Sequence, residues 1–274
     1  MRRKKGLKET VSKEETENYP PTIKERIIAE LRFFGGFIVF MFVFFTTVWG
    51  HYKIPSESML PTLEVGDHVY VTKFAYGFSR HSLPFNMHKL PFLGEGQIFS
   101  RNPKRGDVVV FRNPRSKIVM IKRLVGLPGD KIQMRDGRLY INDILVERRI
   151  TDEYLYRPHR SKKEIKRSGP SIAVKTKVFA EKWPSGEESQ HRIYEFSDEG
   201  RLDDTDGFVV PADRFFMMGD NRDNSIDSRD VNHGPGYIPR DHLIGRADMM
   251  MFTEKKCTQE DGVRCPPSRW FERL

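Results

Sequence analysis

At 274 residues the chain is long enough for one membrane-spanning segment and one sizeable folded domain, or two smaller ones packed together. Its formal net charge is +9, but the first 32 residues hold nine Lys/Arg against six Glu, leaving 38 basic and 32 acidic residues elsewhere. That remainder has no basic stripe interleaved with aromatics, which argues against nucleic acid and leaves an anionic membrane surface as the better partner for the charge.

Residues 1–31 read as a charged cytoplasmic tail whose last part, "TIKERIIAELR", has helical spacing and runs toward the apolar stretch "RFFGGFIVFMFVFFTTVWG", residues 32–50. The 18 residues after Arg32 carry no charge and span about 27 Å as a helix at ~1.5 Å per residue, enough to cross a bilayer. A cleaved signal peptide has a shorter apolar core, and "TTVWGHYK" lacks small residues at cleavage spacing, so an uncleaved anchor is expected. Nine Lys/Arg precede the span, whereas Lys53 is the one basic residue in the next 20. The N-terminus is therefore expected in the cytoplasm and everything after Trp49 outside.

Beyond residue 50 the pattern is of short strands. "HVYVTKFAYG" and "GDVVVF" are rich in β-branched and aromatic residues, and "KIQMRDGRLYIND" sets Asp136-Gly137 between two alternating runs, a hairpin signal. Residues 78–104 form a Pro/Gly-punctuated loop with large apolar side chains, and 151–207 are charged and weakly patterned, an inserted lobe or an elaboration of the sheet. The fold class expected is mostly β: one transmembrane α-helix, then a loop-rich β-sheet catalytic domain made from 51–150 and 208–256, with a smaller inserted lobe. A C-terminal tail, 257–274, follows. Cys257 and Cys265, seven residues apart, would sit in an oxidising compartment, where a disulfide is plausible; a zinc site needs four ligands, so no metal is expected.

Three stretches carry chemistry. In "KIVMIKRLVGLPGD" a strand puts Lys122 on the face of Ile118, Met120 and Leu124, and Arg123 on that of Val119, Ile121 and Val125, so one cation must meet an apolar surface. Burial would favour a neutral Lys122 amine, a general base; the bland alternative is a lysine that reaches the sheet edge and stays charged. In "IPSESMLPTLEVGD", Ser56 and Ser58 are either turn serines or a hydroxyl awaiting a base. The eight histidines offer no triad setting. The third stretch, "FFMMGDNRDNSIDSRDVNHGPGYIP", is an apolar strand entering a cluster of Asp, Asn, Ser and Arg, readable by itself as a hydrogen-bonded turn and less well as a calcium loop.

Taken in order after a membrane anchor, "PSESMLPTLEVGDHVYVTKFAYG", "KRGDVVVFRNP", "IKRLVGLPGDKI" and "MGDNRDNSIDSR" resemble the bacterial type I signal peptidases, membrane-bound serine/lysine peptidases. The resemblance covers 51 to about 147 and 208–247. It implies Ser58 as nucleophile, Lys122 as general base, Ser56 as an oxyanion donor with the Ser58 N–H, Ser225 as the hydroxyl orienting the lysine, and Asp227 with Arg229 as an ion pair beneath the site. It also implies a substrate, the signal peptides of exported pre-proteins, and a bacterial inner membrane location; no cofactor is implied. Shallow apolar pockets would be lined by Tyr52, Ile54, Met59, Leu63, Val69, Val110 and Ile121, each of which could equally be core. Phe74, Phe78, Leu83, Phe85 and Phe92 are candidates for a membrane-facing rim. Three departures stand out: Glu57 where many members have glycine, Met120 where tyrosine is common, and one span where well-known members have two. The rival reading is a membrane-anchored, non-catalytic β-domain for binding or assembly.

Overall fold

The computed structural model describes residues 22–79, 81–82, 97–158, 172–184, 190–254 and 269–274. Cys257, Cys265, Leu83, Phe85 and Phe92 lie outside the described residues, as does the tail up to residue 21. Two compact units emerge, Met1–Phe44 and Phe45–Leu274.

Helix α1 runs Ile23–Val48. A capping box starts it: the Thr22 N–H donates to Glu25 Oε2 at 2.8 Å and the Glu25 N–H to Thr22 Oγ1 at 3.3 Å, so two of the otherwise unpaired first-turn donors are satisfied. The helix thus begins well before Arg32, and it stops two residues before the expected end of the span because Trp49 already pairs as a strand. Its stretch Ile23–Phe45 is long and apolar enough to cross a membrane. Phe33, Phe34, Phe37, Ile38, Phe40 and Phe42 all stay exposed around it, an arrangement that an apolar solvent stabilises and water does not.

The second unit is built of strands. In chain order these are β1 (Trp49–Lys53), β2 (Asp67–Thr72), β3 (Phe78–Ser79), β4 (Gln97–Ile98), β5 (Val108–Arg112), β6 (Val119–Gly126), β7 (Lys131–Arg135), β8 (Arg138–Ile141) and β9 (Ile144–Leu145). There follow β10 (Glu147–Tyr156), β11 (Val174–Lys182), β12 (Gln190–Glu195), β13 (Phe208–Val209), β14 (Arg214–Met218), β15 (Ile238–Pro239), β16 (Leu243–Thr253) and β17 (Trp270–Arg273). The main sheet runs β1-β2-β16-β5-β6-β14-β15, with β17 on the far part of β16. Its pairs are antiparallel, and register breaks at Leu243/Gly245, Ala247/Met249 and Met250/Phe252 let the long β16 twist while serving β5 and β2 together.

Beside the two-stranded β3-β4 sheet, two other sheets accompany it. The order β13-β7-β8-β9 contains the hairpin foreseen at Asp136-Gly137, whose φ angles of 47° and 67° give both turn positions the left-handed backbone that matches strand twist. The order β10-β11-β12 accounts for much of the weakly patterned segment: β10 is mostly exposed, while β11 and β12 supply the covered face, where Val178, Ile193 and Tyr194 are buried. This sheet belongs to the same compact unit as the main one.

Four apolar clusters stabilise the unit, the smallest of them Leu60 with Val178 and Tyr194 of the β10-β11-β12 sheet, and the other three are larger. One joins Ile54, Met59 and Leu63 to β2, β5 and β16; another sets Val109, Phe111 and Leu124 against Phe215, Met217 and Leu243; the third packs Val125, Ile132 and Leu139 around Phe216 and Trp183. Phe216 is fully buried, with the Phe208 ring 5.1 Å away and Tyr237 at 6.1 Å. Phe216→Ala is expected to cost about 3–5 kcal/mol, seen as a fall in the denaturant midpoint of the full chain in detergent; an unchanged midpoint would show that this cluster is not what holds the sheets together.

Candidate active site

The two serines sit on a short connection between β1 and β2. Ile54 N–H donates to Asp67 O at 2.8 Å and Gly66 N–H to Ile54 O at 2.8 Å, closing its base, while Leu60 N–H to Glu57 O and Leu63 N–H to Met59 O wind it into turns. Ile54 before it and Met59 and Leu63 after it are buried and act as anchors, so Ser58, 8 % exposed, is held from both sides. Ser56 is exposed, with its Oγ 3.3 Å from Ser58 Oγ.

β6 brings the bases. Its register sets Lys122 opposite Val109 and Arg123 opposite Val108 on β5, with Met218 of β14 on the other side of Arg123. Lys122 is 3 % exposed and its Nζ is hydrogen-bonded to Ser58 Oγ. Burial pushes its amine down to about 8, although the carboxylates of Asp227 and Asp220 work in the opposite direction. Arg123, equally deep, is stabilised differently: its Nε and Nη2 donate to the two Asp220 oxygens at 2.7 and 2.6 Å, and Nη1 donates to Gly106 O at 2.7 Å. Burial alone would raise the Asp220 carboxyl, but Arg123 overcomes this and holds it low.

The segment after β14 forms the floor. Asn221 clamps the serine turn twice, its N–H donating to Ser58 O at 3.2 Å and its Nδ2 to Glu57 O at 3.1 Å. Gly219 fits where nothing larger can: a Cβ there would lie 2.2 Å from Ser225 Oγ and 2.5 Å from Ser58 O. Its N–H donates to Asp227 Oδ2 at 2.9 Å, and Asp227 is paired with Arg229 through Nε at 3.0 Å and Nη2 at 2.9 Å, both side chains fully buried. Burial would raise the Asp227 carboxyl; Arg229 outweighs it and keeps it ionised. Ser225 is 7 % exposed; its Oγ lies beside Asp227, close enough to favour the ionised carboxylate, but makes no hydrogen bond of ordinary geometry among the described residues.

Ser56, Ser58 and Lys122 are therefore joined by direct contacts, and Ser225, Asp227 and Arg229 lie under them. Ile54, Met59, Leu63, Val69 and Val110 fall in one cluster at 0–2 % exposure, whereas Tyr52 and Ile121 are its partly buried border. Phe74 is 37 % exposed and Phe78 is half-buried. The departure at Glu57 has local partners: Asn224 Nδ2 is 3.4 Å from its Oε2, and burial followed by the Glu57 charge pushes the Tyr156 hydroxyl up. Sequence reasoning missed Gly219, Asp220 and Asn221 as site residues, and Arg123 as the partner of Asp220, although all four lie in the stretches that caught attention. Among the described residues, donors of His81, Asp241 and His242 lie within 4.8 Å of one another; neither Ser58 nor Lys122 belongs to that group.

The molecule is thus a β-sheet protein with an apolar N-terminal helix and a serine hydroxyl held on a buried lysine. The family profile described as "Signal peptidase, peptidase S26" matches residues 27–252, and the chain belongs to that family. A signal peptidase I of Rickettsia massiliae (strain Mtu5) is 39% identical over 209 residues, 74% of this chain and 71% of its own. That of Rickettsia prowazekii (strain Madrid E) is 37% identical over 209 residues, 74% of this chain and 72% of its own. A solved signal peptidase I from Enterococcus faecalis V583 is 24% identical with a TM-score of 0.29, covering 53% of this chain and 97% of its own. Family and apolar helix together make this a membrane-anchored protein.

Gly219→Ala is expected to lower kcat/KM for peptide cleavage by about 100-fold or more, because a methyl group there must displace Ser225 or the Ser58 backbone and a shift of ~1 Å costs that much in positioning. Near-native activity in a variant with an unchanged circular dichroism spectrum would refute the tight approach.

Proposed function

We propose that the chain is a membrane-bound serine endopeptidase that removes signal peptides from exported pre-proteins, with Ser58 as nucleophile and Lys122 as general base. The observation that carries this reading is the contact of Lys122 Nζ with Ser58 Oγ, made by a lysine pushed down to about 8 by burial. A neutral amine accepts the Ser58 proton as the oxygen attacks the carbonyl carbon. The tetrahedral oxyanion is held by the Ser56 hydroxyl and the Ser58 N–H. As the C–N bond breaks, the lysine returns the proton to the leaving amine, and the mature protein departs. Water, deprotonated by the same lysine, then hydrolyses the ester on Ser58. Ser225, buried on the floor, orients the Lys122 amine, and the Asp227–Arg229 pair holds the loop that carries it.

The cut follows a small residue, with another small residue two positions earlier. Ile54, Met59, Leu63, Val69 and Val110 shape the shallow pockets from behind, with Tyr52 and Ile121 at their border. The anchor keeps the enzyme in the bilayer that holds the substrate's own apolar helix, so encounter is confined to two dimensions. The excess of Lys/Arg before the span supports a cytoplasmic N-terminus and an extracytoplasmic catalytic unit, and the bacterial relatives support the inner membrane as its place.

The decisive experiment is cleavage of a purified pre-protein with an Ala-x-Ala site by the full chain in detergent, comparing wild type with Ser58→Ala and Lys122→Met, the product mass identifying the cut bond. Cleavage by wild type alone is expected; full activity in either variant removes that residue from its role, and inactivity of all three favours the non-catalytic β-domain. Ser56→Ala is expected to retain cleavage at a rate lower by roughly 100- to 1000-fold, the cost of one oxyanion donor. The protonated lysine cannot act as base, so kcat/KM should rise about tenfold per pH unit below about 8 and level off above it. A profile flat between pH 6 and ~9 would contradict a lysine base.

A further inference from the structure

A cavity of about 950 Å³ opens between the β10-β11-β12 sheet and the β16-β17 part of the main sheet, and neither Ser58 nor Lys122 lines it. Eight Lys/Arg side chains border it against three side-chain carboxylates, with Leu274 also in the lining. Four of the cations are already committed: Arg105 to Asp130, Arg123 to Asp220, Arg246 to Asp248 and Arg269 to Asp67. The bordering carboxylates are also engaged, since Asp107 and Asp248 face Arg246 at 4.0 and 2.5 Å and Glu272 faces Arg269 at 3.6 Å. Lys104, Arg149, Arg192 and Arg273 remain, and none of them has an ion-pair partner among the described residues.

Strand register sets two of these side by side. Arg149 is opposite Ala180, and Ala180 is opposite Arg192, so the two arginines flank a methyl group across three neighbouring strands. Strands about 4.8 Å apart place their backbones roughly 10 Å from one another, with only Ala180 between. Trp183, 1 % exposed, closes the wall beyond Ala180 as a rigid apolar surface. Unpaired guanidinium groups facing one cavity gather a positive potential that favours an anion, and a planar fork of donors matches phosphate oxygens two at a time.

We propose that this cavity is a binding site for a phosphate-bearing anion, gripped by Arg149 and Arg192 with Lys104 and Arg273 completing the charge. The chemistry is common to two sources, the headgroup of an anionic phospholipid, available to a membrane-anchored protein, and a free phosphate compound.

The test is calorimetric titration of the full chain in an uncharged detergent with inorganic pyrophosphate, and separately with dihexanoylphosphatidylglycerol below its micelle concentration, using dihexanoylphosphatidylcholine, whose phosphate is neutralised by its own ammonium group, as the zwitterionic comparison. The double variant Arg149→Glu/Arg192→Glu, both positions exposed, is titrated beside the wild type, with its melting curve as the check on folding. Should it fail to fold, Arg192→Gln replaces it. Binding of pyrophosphate or of the glycerol lipid that weakens at least about tenfold in the variant is expected, two charge-assisted contacts being lost. Pyrophosphate binding assigns the site to free phosphates, and binding of the glycerol lipid alone assigns it to a headgroup. Failure of both probes to bind, binding that is unchanged in the variant, or equal binding of the choline lipid would each overturn the proposal.

Discussion

Two neighbouring cations buried in one strand are the constraint on which the rest of this structure depends. Taking either Lys122 or Arg123 out of water is costly, and the fold meets the cost in opposite ways. Arg123 cannot lose its proton, so it receives a bidentate carboxylate, Asp220, together with the Gly106 carbonyl. Lys122 makes no ion pair among the described residues and receives a hydroxyl instead, so burial lowers its affinity for a proton. One strand thereby holds a permanent cation that organises the site and a removable one that can do chemistry.

The loop after β14 has to serve both, and it is held by charge buried on several sides. Asp227 and Arg229 fasten it from within. Arg222 fastens it to β11 by pairing with Glu181, whose carboxyl burial would raise but which Arg222 and His191 hold down at about 2. A backbone link from Tyr194 N–H to Asp220 O ties the same loop to β12. Buried pairs of this kind contribute little net stability, yet breaking one leaves an uncompensated charge, so they make alternative loop positions expensive. The β10-β11-β12 sheet is therefore mechanically part of the site even though it supplies none of the reacting groups.

The phosphate site proposed above lies on another face of that sheet's connection to the core, and Arg123 reaches both places, lining the cavity while holding Asp220. The main sheet's edge at β17 and the small sheet thus create two concave surfaces of different character. One has a single depressed base and a hydroxyl; the other has an excess of permanently charged guanidinium groups.

What could be read from the residues alone follows from chemistry that acts over a few positions. An uncharged run long enough for a bilayer, an Asp-Gly between alternating runs and four motif segments in family order are all local, and they pointed to the anchor, the hairpin and the family, and to Ser58 and Lys122, which the fold brings into contact. Burial of lysine was not so legible: Lys73 is also buried and lowered, and nothing in its neighbours distinguishes it from Lys122. Nor could pattern show that Arg123 belongs to Asp220, 97 positions away, that Asn221 clamps the serine turn, or that Gly219 is confined between Ser225 and Ser58. Those facts depend on β6 lying between β5 and β14, which is a matter of sheet order, and sheet order is decided by non-local packing that no stretch of sequence contains.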